Sequence, residues 1–134
     1  MDLLLTTESN DSSFGLVEQA RQGVNRAKVD EVAQSISLTD KDMARILNLS
    51  ERTLHRLRPE ARLDSNASER LLLLENLLTH GLGVFDGRAA VLGRWLRVPL
   101  AELRRQTPLD LLDTATGFAL VHTVLGRIEH GIYA

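Results

Sequence analysis

Apolar residues recur along this chain at intervals of three and four, and no segment alternates apolar and polar positions as a half-buried strand does. From Phe14 to about Ile36, the positions Leu16, Ala20, Val24, Ala27, Val29 and Val32 fall near helical spacing, with Gly23 as the one weak point. Thr39 is placed to cap a helix that opens on Asp40 and Asp42, where the positive end of the helix dipole favours acids. Ser50 is placed to cap another, which must finish near Arg58 because Pro59 disfavours helical geometry in the residue before it. One of Ser65, Asn66 and Ser68 opens a longer helix through Leu71, Leu72, Leu73 and Leu74 to about His80, where Gly81 and Gly83 are expected to break it. Its stripe of Leu71, Leu74, Leu78 and Leu82 is widened by Leu72, Leu73 and Leu77, which predicts a central helix or a dimer contact.

Beyond Gly83, Asp86 is the expected cap of a helix through Trp95 and Leu96. Thr107 and Pro108 read as an N-cap followed by proline at the first helical position, giving one or two turns through Leu112. Thr114 or Thr116 caps the last helix, whose Phe118, Val121, Leu125 and Ile128 form a single stripe that ends at Gly131. The expected fold is all-α. Residues 1–13 read as a flexible tail, residues 14–82 as a helical domain, and residues 83–134 as a smaller helical domain.

Composition narrows the chemistry. Aromatic residues make up only 4% of the 134, so the core must be aliphatic. Without cysteine there are no disulfides, thiolate nucleophiles or Cys-ligated zinc, which fits a reducing cytoplasm. Leu3, Leu4 and Leu5 are too few for a secretory leader and follow no basic residue, and no stretch is long enough to span a bilayer. A net charge of -2 gives no global attraction to nucleic acid, so any such binding must come from a local patch.

Residues 40–58, DKDMARILNLSERTLHRLR, supply a candidate for that patch. A helix-turn-helix needs a small residue where its helices touch, and Ala44 is one. Four residues on, the turn requires left-handed backbone, which Asn48 tolerates. Met43, Leu47, Leu49, Leu54 and Leu57 occupy the inward positions. A second helix laid in the major groove would present Glu51, Arg52, Thr53, His55 and Arg56, with Arg52 or Arg56 suited to guanine or phosphate. From Asp40 to Arg62, six basic residues face four acidic ones, a modest excess. The same pattern also serves a helical hairpin that only packs.

The segment LSERTLHRL, together with Trp95, Leu96, Pro99, Leu103, Pro108, Leu109, Leu111, Leu112, Gly117, Val121, Leu125, Arg127, Ile128 and Gly131 in that order, resembles the Xre/MbcA/ParS family of toxin-binding antitoxins. The resemblance covers about residues 38–134. It implies an Xre-like helix-turn-helix bundle followed by a small helical toxin-binding domain. It further implies a bacterial type II toxin–antitoxin pair, with a RES-domain partner that consumes NAD and is blocked by the antitoxin's C-terminal domain. Operator DNA and a second copy of the chain are the other implied partners.

The end of the chain fits that role. Arg127, Glu129, His130, Gly131, Ile132, Tyr133 and the Ala134 carboxylate would offer an anion and an aromatic ring to the phosphate- and ribose-binding groups of a NAD pocket. Ile132 and Tyr133 folding back on their own core as a Schellman-type contact is the competing reading. Trp95 is a candidate contact or a core anchor, among the basic residues Arg94, Arg97, Arg104 and Arg105. His55, His80, His122 and His130 have no metal-ligand spacing, and no carboxylate is expected to join two of them as a metal site. No nucleophile–base pair or phosphate loop is visible, so no enzyme, cofactor or metal is expected. A dimeric repressor whose C-terminal helices only oligomerise, and a small-molecule sensor with a pocket near Trp95, are the alternatives.

Overall fold

In a computed structural model, residues 13–131 are described, and every regular element among them is helical. The helices are α1 (13–22), α2 (Ala27–Ser35), α3 (Asp40–Leu47), α4 (Glu51–Arg56), α5 (Ser65–Val84), α6 (Ala89–Trp95) and α7 (Ala115–Glu129). Single 3-10 turns form at Ala101–Leu103 and Leu109–Leu111. The all-α expectation is met. The expected tail, apart from Ser13, lies outside the described residues, as do Ile132, Tyr133 and Ala134.

The long stretch expected from Phe14 to Ile36 is two helices, because Gly23 adopts a left-handed φ of 86°. A Cβ there would lie 2.8 Å from the Leu63 carbonyl oxygen, so the chain passes too close for any side chain. The freed backbone pairs with the segment before α5: Leu63 N–H donates to Val24 O (2.8 Å) and Arg26 N–H to Ala61 O (2.8 Å). Ser68 is fully buried and completes this seam, its hydroxyl accepting from Val24 N–H (2.9 Å) and donating to Leu63 O (3.2 Å).

The broad apolar face of α5 makes it the centre of the molecule. Leu71, Leu74, Leu77 and Leu78 are buried, with α3 on one part of its surface and α7 on another. Each such leucine contributes about 1.5–3 kcal/mol by leaving water. Two details of this helix differ from expectation. Asp64 is its cap, accepting from Ala67 N–H (2.8 Å). The helix also runs on through Gly81 and Gly83 to Val84, since a Cβ at Gly81 would lie 2.6 Å from Leu92 Cδ1 and its absence lets α6 pack closely.

Asp86 does not cap α6. It sits in the turn at a φ of 55°, next to Gly87 at 76°, and Arg88 occupies the cap position without a side-chain bond. Thr107 and Asp110 exchange reciprocal 3.0 Å bonds around Pro108, which starts the turn Leu109–Leu111 as expected. Of the two threonines offered for α7, Thr114 is the cap, accepting from Gly117 N–H (2.9 Å). Phe118, Val121, Val124 and Leu125 are buried and Ile128 is half-buried; Gly131, at a φ of 67°, follows the helix end.

Gly117 is the most closely approached glycine among the described residues: an added Cβ would meet the Leu111 carbonyl oxygen at 1.6 Å, whereas at Gly126 it would meet nothing within 4 Å. Gly117→Ala should therefore lower unfolding free energy by about 3 kcal/mol. Gly126→Ala should raise it by about 0.5–1 kcal/mol through helix propensity alone. Urea unfolding of the two variants beside the parent chain checks both signs.

Candidate functional site

The helix-turn-helix is built as its sequence requires. Thr39 and Asp42 form a reciprocal capping box at the start of α3, with bonds of 3.0 and 3.2 Å. Asn48 takes the left-handed conformation at a φ of 58°, and Leu49 N–H closes the turn onto Ala44 O (2.9 Å). Ser50 caps α4 by accepting from Thr53 N–H (3.0 Å). Met43, Ala44, Leu47 and Leu54 are buried, and Leu49 and Leu57 half-buried, which turns the other face of α4 outward.

On that face Arg52, Thr53, His55 and Arg56 are all exposed, but they are not equally available. Thr53 Oγ1 accepts from the Ser50 hydroxyl (2.8 Å) and belongs to the cap. His55 Nε2 lies 3.0 Å from Asp40 Oδ2 across the motif. Arg52 and Arg56 engage no other side chain among the described residues, so they are the cations this face can offer to an anion.

Other arginines serve the fold. Arg45, on α3, reaches into the C-terminal half, where its guanidinium donates to Leu109 O (2.7 Å) and Asp110 O (3.1 Å). Arg97 makes a similar tie, donating to Gly93 O (2.7 Å) and Ser37 O (2.9 Å). Arg62 donates to Gly23 O (2.7 Å). Arg26 is buried and holds α4 from behind, its Nε donating to Leu54 O (2.9 Å) and Nη1 to Asp30 (3.1 Å). Sequence reasoning had no means of finding these ties, because the acceptors are mostly backbone carbonyls, which every residue carries.

At the other end, Trp95 is half-buried against Phe85, with ring centroids 5.8 Å apart, and packs on the core as an anchor. The last turns of α7 bring the remaining candidates together. Arg127 lies 3.3 Å from Glu102, and Glu129 lies 3.5 Å from His80 Nε2 and 3.8 Å from His130. Glu129 thus lies between two histidines; positions 80 and 129 are distant in sequence, and the α5–α7 packing makes them neighbours. His80 Nδ1 also meets His122 Nδ1 at 2.9 Å. Burial, and then the proximity of His80, pushes the His122 pKa below its ordinary value. Among the described residues no group of three or more metal-binding side chains is placed to hold an ion. Likewise, none of their helices is long and apolar enough to cross a membrane.

Two family models match in tandem: the antitoxin Xre-like helix-turn-helix domain over residues 15–76, and the antitoxin Xre/MbcA/ParS C-terminal toxin-binding domain over residues 81–131. A relative in a Sphingobium species, described as a Prs ADP-ribosylating antitoxin, is 32% identical over 123 residues, covering 85% of this chain and 77% of its own length. The chain belongs to the Xre/MbcA/ParS antitoxin family. Two relatives named antitoxin Xre are similar at lower identity. That of Yersinia enterocolitica is 26% identical over 89% of this chain and 81% of its own length. That of Photorhabdus laumondii is 27% identical over 83% of this chain and 76% of its own length. In this antitoxin the helix-turn-helix model spans α1 to most of α5, and the toxin-binding model covers the elements from the end of α5 through α7.

The division between structural and free cations gives a direct test. Arg45→Met should cost about 1.5–3 kcal/mol of stability, the range for charge-assisted hydrogen bonds. Arg52→Ala, on the open face of α4, should stay within about 0.5 kcal/mol of the parent. Chemical unfolding followed by circular dichroism distinguishes the two.

Proposed function

We propose that this antitoxin neutralises a RES-domain toxin that consumes NAD, by seating the end of its C-terminal domain in the toxin's pocket. In the same reading it represses its own operon through α4, as a homodimer in a bacterial cytoplasm. The observation that carries the proposal is the tandem arrangement on one chain of an exposed recognition helix and a toxin-binding domain. The description of the Sphingobium relative adds chemical support, because ADP-ribosylation is a reaction that consumes NAD.

The physical roles follow from the placement of each group. Arg52 and Arg56 attract the DNA backbone or pair with guanine in the major groove, and Ser50, Thr53 and the Asp40–His55 contact hold their helix steady. On α7 the buried stripe faces α5, while Leu120, Thr123 and Arg127 form an outward stripe that leads to His130 and Gly131. Leu120 is 48% exposed, so the toxin has an apolar point of contact on the helix that carries the terminal residues. Beyond Gly131, Ile132 and Tyr133 supply the inserting side chains, Tyr133 adding a rigid amphipathic ring at low entropic cost.

The experiment is co-expression of the toxin encoded beside this chain with either the full antitoxin or a form stopped after His130. Growth and cellular NAD should be restored by the full chain and not by the shortened, folded one, while both still shift operator DNA. Arg52→Ala and Arg56→Ala should do the reverse, keeping rescue while weakening operator affinity, with the salt slope reduced by about one for each phosphate no longer neutralised. Equal rescue by full and shortened chains would contradict insertion of the terminal residues. No rescue by either would leave the other reading, a dimeric repressor whose exposed Val98 and Leu120 serve oligomerisation.

A further inference from the structure

The contact between His80 and His122 is more specific than two rings packed together. Their planes are within 16° of parallel and their centroids are 5.1 Å apart, yet the two Nδ1 atoms are 2.9 Å apart. A gap that short at that centroid separation requires both nitrogens to lie on the line joining the ring centres. The imidazoles therefore meet edge to edge in nearly one plane, with their Nδ1 lone-pair directions pointing at each other. An ion seated between head-on nitrogens needs about 4 Å, twice the usual metal–nitrogen distance. What fits is one proton, donated by one ring and accepted by the other.

The clamp holds α7 in two places. His80 comes from α5 and is half-buried; its Nδ1 takes His122, and its Nε2 faces Glu129 at 3.5 Å. Positions 122 and 129 are seven apart, so they share one face of α7 two turns apart. Glu129 is the last helical residue before His130 and Gly131, so the clamp sets the direction in which the chain leaves the helix. The charged and titratable groups gathered there are His80 from α5, His122 and Glu129 from α7, and His130 just beyond, 3.8 Å from Glu129. Arg127, on the same helix, is engaged by Glu102.

We infer that His80, His122 and Glu129 are positioning residues for neutralisation: their shared-proton contact aims the end of α7, and a second proton on the histidine pair releases it. The inference rests on the reading of α7 as the toxin-facing helix. The pair keeps its N–H···N bond when both rings are neutral and when one is cationic, since one nitrogen still accepts. With both rings cationic, each Nδ1 carries a proton and the two charges repel at contact distance. Burial and the neighbouring ring already hold His122 below its ordinary pKa of 6.5 in the folded chain. The unfolded chain thus takes up the proton first, and the clamp's contribution is intact above about pH 6.5 and lost as pH falls below it. Acidification therefore relaxes the antitoxin at the helix that bears the terminal residues.

The test is the affinity of the full antitoxin for its cognate toxin between about pH 7.5 and pH 5.5, for the parent chain, His122→Asn and His80→Ala. Asparagine places an amide near Nδ1, keeps a bond to His80, and cannot be protonated. The parent should weaken progressively towards pH 5.5, by up to about tenfold, the ceiling for one group that titrates below 6.5. His122→Asn should bind like the parent at the upper pH and change far less on acidification. His80→Ala should bind weakly throughout, while its operator binding shows that it is folded. Parallel pH profiles for the parent and His122→Asn would show that the titrating group is not His122 and overturn the inference, as would a parent profile that is flat. No binding by the parent at about pH 7.5 would overturn the functional reading as well. In that event, toxin-free thermal unfolding of the same variants against pH still shows whether the clamp titrates.

Discussion

A helix that is apolar around most of its circumference has to be enclosed, and α5 is such a helix. Its leucines contact α3 on one side and α7 on another, so the helix-turn-helix and the toxin-binding domain are built against a single rod. Two glycines bring the neighbours near enough to pack. Gly81 admits Leu92 of α6, and Gly117 brings the start of α7 against the Leu111 carbonyl. The shape of the C-terminal domain depends on those approaches, because a methyl group at either point would force backbone or a branched side chain to move.

Charge is divided between holding this arrangement and leaving it. Arg26, Arg45, Arg62 and Arg97 donate to carbonyls at the ends of turns and helices, where backbone groups have no partner of their own. Arg52 and Arg56, on the same stretch of chain as Arg45 and Arg62, stay exposed. The near-neutral net charge of the protein therefore conceals two exposed cations on one face of α4, which could attract an anionic partner. Arg45 also places a physical link between α3 and the turn that precedes α7, joining the two domains at a point between their outward surfaces.

Much of this was legible in the sequence, and the exceptions share a cause. Ala44, Asn48, Ser50, Thr39 and Thr114 act through bonds to residues three to five positions away, and local spacing revealed each of them. The Phe14–Ile36 stretch reads as continuous because its apolar spacing survives the break. Only the approach of Leu63 to Gly23, forty residues apart in sequence, shows why the helix must stop there. Gly81 and Gly83 suggested a helix end, but the room needed by Leu92 made glycine useful inside the helix instead. The histidines looked scattered for the same reason. His80, His122 and Glu129 become one group only after α5 and α7 have packed. The final three residues, on which the proposed insertion depends most, lie outside the described region, and their role is argued from their chemistry.

The central claim is that the protein acts by occupying its partner's NAD pocket. The most direct measurement is NAD turnover by the purified cognate toxin, titrated with the full antitoxin at low and at high NAD. Occupation of the pocket predicts inhibition that saturates at a fixed ratio of the two proteins and weakens as NAD is raised. Turnover unaffected by the antitoxin, or inhibition indifferent to NAD concentration, would contradict it.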